Sequence, residues 1–408
     1  MKDRPVNPRY AWSIVGFLWL TLLLNYVDRQ VVFSIFPLLQ SEIGFSGAQL
    51  GLVGSFFIWT YCLCQVPAGW LADLLPKQHL VLASLILWSA ATLGTGLSHS
   101  VFEMLCWRAV MGITESLYMP AALALLAGLH SVATRSRALA VHGTAQLLGG
   151  VTGGWYGGWM AEHFGWRTGF LALAAAGLLY AFVLAAAFRG LPRLPRTHAP
   201  VLGSLRELFR SGSYAALILA FITFGVLLWI LYTWLPTHIY ERYRLSLSES
   251  GLTATLYLQL SSAVGILSGG ALADWSVKRV AAGRLYLVAV GILGSAPFAY
   301  LTLAVNSISL LRLCAAGFGL FAGLLITNVF AAAYDVVPAR SRGMAAGMMN
   351  SIPGIASGTA VYMAGALKES FGLSRMVFYG AAAAIAGGLL LMVVTAARFA
   401  RDRRFSER

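Results

Sequence analysis

Twelve apolar stretches of about twenty residues or more, separated by short polar breaks, constrain this chain more than anything else in it. They fall near residues 11–39, 50–72, 80–97, 101–129, 139–160, 166–188, 214–239, 251–273, 285–304, 310–336, 344–367 and 376–399. A helix of about 20 apolar residues crosses the roughly 30 Å hydrocarbon core of a bilayer. The expected fold is therefore an all-α membrane protein with twelve transmembrane helices. Composition agrees, since 59% of the 408 residues are hydrophobic and 11% are charged. A soluble domain carries about 25% charged residues. Lys2, Arg4 and Arg9 precede the first apolar run, and no small-residue cleavage site follows it. That run is expected to stay in the chain as a span. Cys62, Cys64, Cys106 and Cys314 all lie inside apolar runs, so no disulfide framework is expected.

The net charge of +14 is informative through its placement. With the N-terminus inside, 21 of the 29 Lys and Arg fall on the tails and the even-numbered connections, five on the opposite side and three within spans. The three are Arg29, Arg108 and Arg312. This asymmetry is the positive-inside pattern, and it places both termini in the cytoplasm of a bacterial-type inner membrane. The basic balance thus reports topology. The lipid bilayer is the expected partner, and nucleic acid is not.

The longest polar connection, residues 189–213, contains Pro192, Pro195 and Pro200. It reads as a cytoplasmic linker with a short surface helix around Leu205–Arg210, joining an N-terminal six-helix bundle (1–188) to a C-terminal one (214–408). Internal repetition supports the division. The pattern G-x-L-A-D-x-x-x-K occurs at Gly69, Asp73 and Lys77, and again at Gly270, Asp274 and Lys278. Arg135-Ser136-Arg137 likewise recurs as Arg340-Ser341-Arg342. Two matches in register point to duplicated six-span halves, pseudo-symmetric bundles suited to rocking around a central site.

Charges within spans are costly in hydrocarbon and normally face a partner or a water-filled cavity. In the first span, Asn25, Asp28 and Arg29 are spaced to share one helical face, with Tyr26 beside them. In the fourth, Arg108 and Glu115 lie two turns apart on one face, and Gly112 between them admits a close backbone approach. Arg312 enters the tenth span at the place equivalent to Arg108. Surplus positive charge suits an anion, and two acids beside arginines suit proton coupling.

The loop motif resembles the signature of the major facilitator superfamily, and the likeness covers essentially the whole chain. Leu74 and Pro76 stand where the family often has Arg and Gly. The resemblance implies that Gly69, Asp73, Lys77, Gly270, Asp274 and Lys278 form a conformational latch, with Asp73 near the start of the eleventh helix. N-Y-x-D-R at Asn25–Arg29 with R-x-x-x-G-x-x-E at Arg108–Glu115 is similar to the anion:cation symporter branch. Spinster-like lipid transporters share much of this pattern. Glu115 to Pro120 resembles the organic-anion group's E-A-x-x-x-P, with Ser116 replacing Ala. By position, the resemblance assigns proton coupling to Asp28 and Glu115 and anion binding to Arg29, with Arg108 tuning Glu115.

Further substrate-binding candidates are His142 and Gln146 in the fifth span, Tyr232 in the seventh, Asn328 in the tenth and Asn350 in the eleventh. Gly149, Gly153 and Gly157 interlock with Gly150, Gly154 and Gly158 as two small-residue stripes, read as packing. The Gly-Pro pair usual in drug/proton antiporters is Gly149-Gly150 here, which argues against drug efflux. Ser351-Ile352-Pro353-Gly354 is expected to kink the eleventh helix. No P-loop, dinucleotide-binding fingerprint or metal-ligand spacing is present, so no cofactor beyond protons, no metal and no enzymatic activity are expected. The expected function is proton-coupled symport of a small organic anion, a carboxylate or sugar acid, by a monomer working by alternating access. The alternatives are a spinster-like carrier of an amphipathic lysolipid-type anion, a drug/proton antiporter and a non-transporting membrane sensor.

Overall fold

The computed structural model describes residues 7–191 and 208–406. Among them are twelve long helices: α1 (Pro8–Ser34), α2 (Gly47–Leu74), α3 (Lys77–Gly96), α4 (Val101–Leu129), α5 (Val132–His163) and α6 (Trp166–Ala187) in the first half. The second half supplies α7 (Gly212–Tyr243), α8 (Leu247–Val277), α9 (Gly283–Ala304), α10 (Ile308–Tyr334), α11 (Arg342–Leu367) and α12 (Leu373–Ser406). Every apolar stretch in the sequence corresponds to one of them. Ten are long and apolar enough to cross a membrane by length and composition, and α5 and α11 are the two that fall short. Both are diluted by glycine and polar residues along their packing faces.

Two boundaries differ from expectation. The first span was expected to reach residue 39, but α1 ends at Ser34. Pro37 removes a backbone donor, and the chain continues as a short helix Phe36–Leu38 and one wide turn, Leu39–Ile43. Gly44 then turns the chain at φ 78°, in the left-handed region that glycine tolerates. Within α4 the helix is interrupted at Leu117, just ahead of Pro120. Pro353, in contrast, sits inside one continuous α11, and the Ser357 hydroxyl donates to its carbonyl at 2.6 Å. Residues 192–207, most of the expected linker and its surface helix, lie outside the described residues.

The chain forms two compact units whose membership departs slightly from the sequence halves. One takes the chain through Gly44, then Phe56 onward through α6, together with Ser246–Leu252. The other takes Phe45–Ser55, the chain up to Leu245 after the linker, and Thr253 to the C-terminus. Each unit thus includes the opening turns of the other half's second helix.

Inside the first unit, α1 and α5 are seamed by glycines. A Cβ added at Gly149, Gly153 or Gly157 would meet Leu23 O at 2.7 Å, Val27 O at 2.8 Å or Val31 O at 2.5 Å. Only hydrogen fits there, so the stripe packs backbone on backbone. The second stripe meets the start of α8, where a Cβ on Gly251 would lie 1.9 Å from Gly154 O. Glu162 accepts both the backbone N–H and the hydroxyl of Ser248 at the same place. The second unit repeats the device with α11 and the start of α2. A Cβ on Gly51 would lie 2.9 Å from Val361 O, and the Ser55 hydroxyl donates to Gly358 O at 2.6 Å.

Candidate functional site

The first unit gathers charge in its interior. Arg29 Nε donates to Glu115 Oε2 at 2.6 Å, joining α1 to α4. Glu115 is fully buried and Arg29 is 7% exposed. Asn25, Asp28 and Arg108 are buried around them. Asp28 lies against Thr92 and Trp88 of α3. Asn25 lies against Glu115, while Asp28 Oδ1 and Arg29 Nη2 have no partner within hydrogen-bond distance. Buried polar groups are normally paired, and exceptions concentrate where a ligand or proton is handled.

Arg29 has an aromatic wall as well as an acid. Its guanidinium carbon lies 4.7 Å from the Tyr26 ring centroid, 5.1 Å from Phe57 and 4.3 Å from Tyr61. Phe57 is shared, because the Arg108 guanidinium carbon lies 4.8 Å from the same ring. Phe57 and Tyr61 are one turn apart on α2 and stack at 5.7 Å. Delocalised guanidinium groups are held well by aromatic faces, which supply attraction without neutralising the charge. Sequence reasoning missed both rings. Their i, i+4 spacing on the helix facing α1 was the available signal, and it is also the spacing of ordinary core aromatics.

Arg108 and Glu115 act on each other electrostatically without touching. Seven residues along one helix separate two groups by about 10 Å of axial rise, so a shared face does not bring them into contact. Arg108 Nη1 instead donates to Met111 Sδ at 3.1 Å, while Arg29 reaches Glu115 from the crossing helix. Gly112 permits that arrangement, since a Cβ there would lie 2.5 Å from the Phe57 carbonyl of α2.

His142 belongs to the same unit and sits 1% exposed beneath Tyr118. The Tyr118 hydroxyl spends its one proton on Leu18 O at 2.7 Å, so its oxygen accepts from His142 Nε2 at 3.0 Å. This fixes the proton on Nε2 and leaves Nδ1 buried without a hydrogen-bond partner. Gln146 is half-buried one turn further along α5.

The other candidates lie in the second unit. Tyr232 is half-buried, accepts from Gln259 Nε2 at 3.3 Å and meets Trp229 edge-on. Asn328 is 2% exposed and donates to Gly269 O and Leu324 O, so it ties α10 to α8. Asn350 is exposed on α11. Arg312, four residues into α10, stands 5.5 Å over the Tyr257 ring. Of the latch residues, Gly69, Asp73 and Gly270 are half-buried, Lys77 is buried, and Asp274 and Lys278 are exposed.

Twelve long helices in two duplicated halves, ten of them apolar enough to cross a membrane, with a charge cluster buried in one half, define a membrane carrier. The chain belongs to the Major Facilitator Superfamily, whose family model matches residues 18–360. It is a secondary transporter of that family and not an enzyme. It is 31% identical to the probable sulfoacetate transporter SauU of Cupriavidus necator, over 96% of this chain and 94% of that one. To the probable galactarate/D-glucarate transporter GudP of Bacillus subtilis it is 24% identical, over 93% of this chain and 91% of the relative. A crystal structure of a bacterial homolog to the human lysosomal transporter Spinster matches with a TM-score of 0.77, covering 98% of both chains at 20% identity. At that identity the likeness is one of fold.

Proposed function

We propose that this chain is a proton-coupled symporter of a small organic anion, a carboxylate or sugar acid, working by alternating access of its two halves. The observation that carries the proposal is the buried Arg29–Glu115 pair. An incoming carboxylate is chemically the same partner that Arg29 already holds. When substrate takes the guanidinium, Glu115 is left as an uncompensated charge in a dry interior, which costs several kcal/mol. A proton on Glu115 removes that charge. Anion and proton therefore favour each other's binding, and each is released when the other leaves.

Charge counting supports the same conclusion. Asp28, Glu115, Arg29 and Arg108 sum to zero when all are ionised. One proton taken up per negative charge carried keeps the cluster at the same net charge, empty or loaded. Asp28 is the second acid available for this. The relatives named for sulfoacetate and for galactarate and D-glucarate favour a small polar anion over an amphipathic lipid. The protein resides in a bacterial-type inner membrane with both termini cytoplasmic, in keeping with its basic residues.

The test is uptake of candidate sugar acids and sulfonates into proteoliposomes with an inward proton gradient. Wild type accumulates its substrate as external pH is lowered. Glu115→Gln loses gradient-driven accumulation and retains exchange of labelled for unlabelled substrate. Accumulation by Glu115→Gln equal to wild type sinks the coupling role.

A further inference from the structure

The last helix of each half differs in length. α6 has 22 residues, enough for about 33 Å, and α12 has 34, about 51 Å against a hydrocarbon core of about 30 Å. The extra turns of α12 are fastened in place. Asp402 is 3% exposed and accepts the backbone N–H of Ser213 at 2.8 Å, capping the start of α7 where an anion is favoured. Ser406 donates to Asp335 O at 3.2 Å, and Asp335 is itself held by Arg284 at 3.0 Å. The Arg398 stem crosses the start of α7, since a Cβ on Gly212 would lie 2.8 Å from its Cδ.

Beside the fastened face the exposed side of the helix is basic. Arg398, Arg401 and Arg404 recur every three residues and are all exposed. Arg210 is exposed beside the start of α7, and the neighbouring Phe209 ring is 51% exposed. Four guanidinium groups and an exposed aromatic, at the end of a spanning helix, have the makeup of a headgroup-level contact. We propose that this rigid basic face binds the phosphate groups of anionic phospholipids in the cytoplasmic leaflet. Guanidinium forks match phosphate oxygens in geometry as well as charge, and a docked helix presents them without an ordering penalty. The proposal rests on the orientation given under Proposed function, with the end of α12 in the cytoplasm.

Lipid retention by the purified full-length chain tests this independently of transport. Native mass spectrometry after mixing with phosphatidylglycerol or phosphatidylcholine of equal chain length should show selective retention of phosphatidylglycerol. The combined variant Arg398→Ala, Arg401→Ala, Arg404→Ala should lose that retention by about tenfold or more, and the corresponding triple Lys variant should keep most of it. Raising salt to about 1 M should release the anionic lipid from wild type, a measurement that needs no variant. Equal retention of the two lipids, or retention indifferent to salt, overturns the proposal, as does full retention by the triple Ala variant. Failure of transport with selective lipid retention intact would count against the proposed function alone.

Discussion

The two halves share a scaffold and differ in what they put inside it. Asn25 lies seventeen residues past the start of α1, and Trp229 lies seventeen past the start of α7. Where α1 carries Asn25-Tyr26-Val27-Asp28-Arg29, α7 carries Trp229-Ile230-Leu231-Tyr232-Thr233. α4 answers Arg29 with Glu115, whereas α10 contains no acid at all. The packing devices, by contrast, are duplicated. Gly112 of α4 closes on Phe57 O of α2 in one unit as Gly319 and Gly323 of α10 close on Leu258 O and Ser262 O of α8 in the other, and the starts of α2 and α8 are received by equivalent close contacts. Duplication preserved the parts that position helices and let the polar contents diverge. Ion handling is thereby separated from scaffold, which can be tested one half at a time.

The sharpest division is expected at the embedded arginines. Arg29→Ala strips the only ion-pair partner shown for a fully buried Glu115, a change that destabilises by about 3–5 kcal/mol. A large drop in thermal midpoint and complete loss of anion uptake should appear together. Arg312→Ala removes a half-buried group that rests on Tyr257 and has no acid beside it among the described residues. Its expected effect is below about 1 kcal/mol. Equal losses from the two substitutions would break the comparison.

Glycine seams should behave in the opposite way, alike in both halves. A Cβ at Gly153 would sit 2.8 Å from Val27 O, and one at Gly323 would sit 2.1 Å from Ser262 O. Gly153→Leu and Gly323→Leu each force a helix pair apart, at about 1–3 kcal/mol. Thermal midpoints measured side by side in one detergent check that close helix approach, unlike charge, carries weight in both halves. Phe57→Leu comes next in size. It removes one ring from under two guanidinium groups, worth about 1–2 kcal/mol in a desolvated setting. Its mark should be a raised KM for the anion with proton dependence retained.

How much of this was legible beforehand follows from the physics of each feature. The spans were legible because hydrocarbon thickness imposes a length that any apolar run reveals. The end of α1 was misplaced because apolar character continues through Pro37 although the helix does not. Asp28, Arg29, Arg108 and Glu115 stood out because charge in a span is rare. Their pairing did not, since it depends on the crossing of α1 with α4, which the spacing within one helix cannot encode. Phe57 and Tyr61 were hidden for a related reason. An aromatic that serves a guanidinium looks, in sequence, like one that fills a core. Asn328 shows the converse, a polar residue whose donor hydrogens are both used by backbone carbonyls.

The most conservative substitution tests the separation most closely. Tyr232 lies as far past the start of α7 as Asp28 lies past the start of α1, and its hydroxyl accepts from Gln259 of α8. Tyr232→Phe keeps the ring and its edge contact with Trp229 while deleting the neutral hydrogen bond from Gln259, worth about 0.5–1.5 kcal/mol. If the second half contributes only to holding the anion, KM shifts by several-fold at most and the dependence on external pH keeps its shape. The measurement is uptake across a series of external pH values, comparing the pH profile rather than the rate at one pH. A profile displaced in Tyr232→Phe would mean that proton handling extends beyond the acids of α1 and α4. The division of labour between the halves would then fail at its most conservative substitution, where no charge has been moved and no helix displaced.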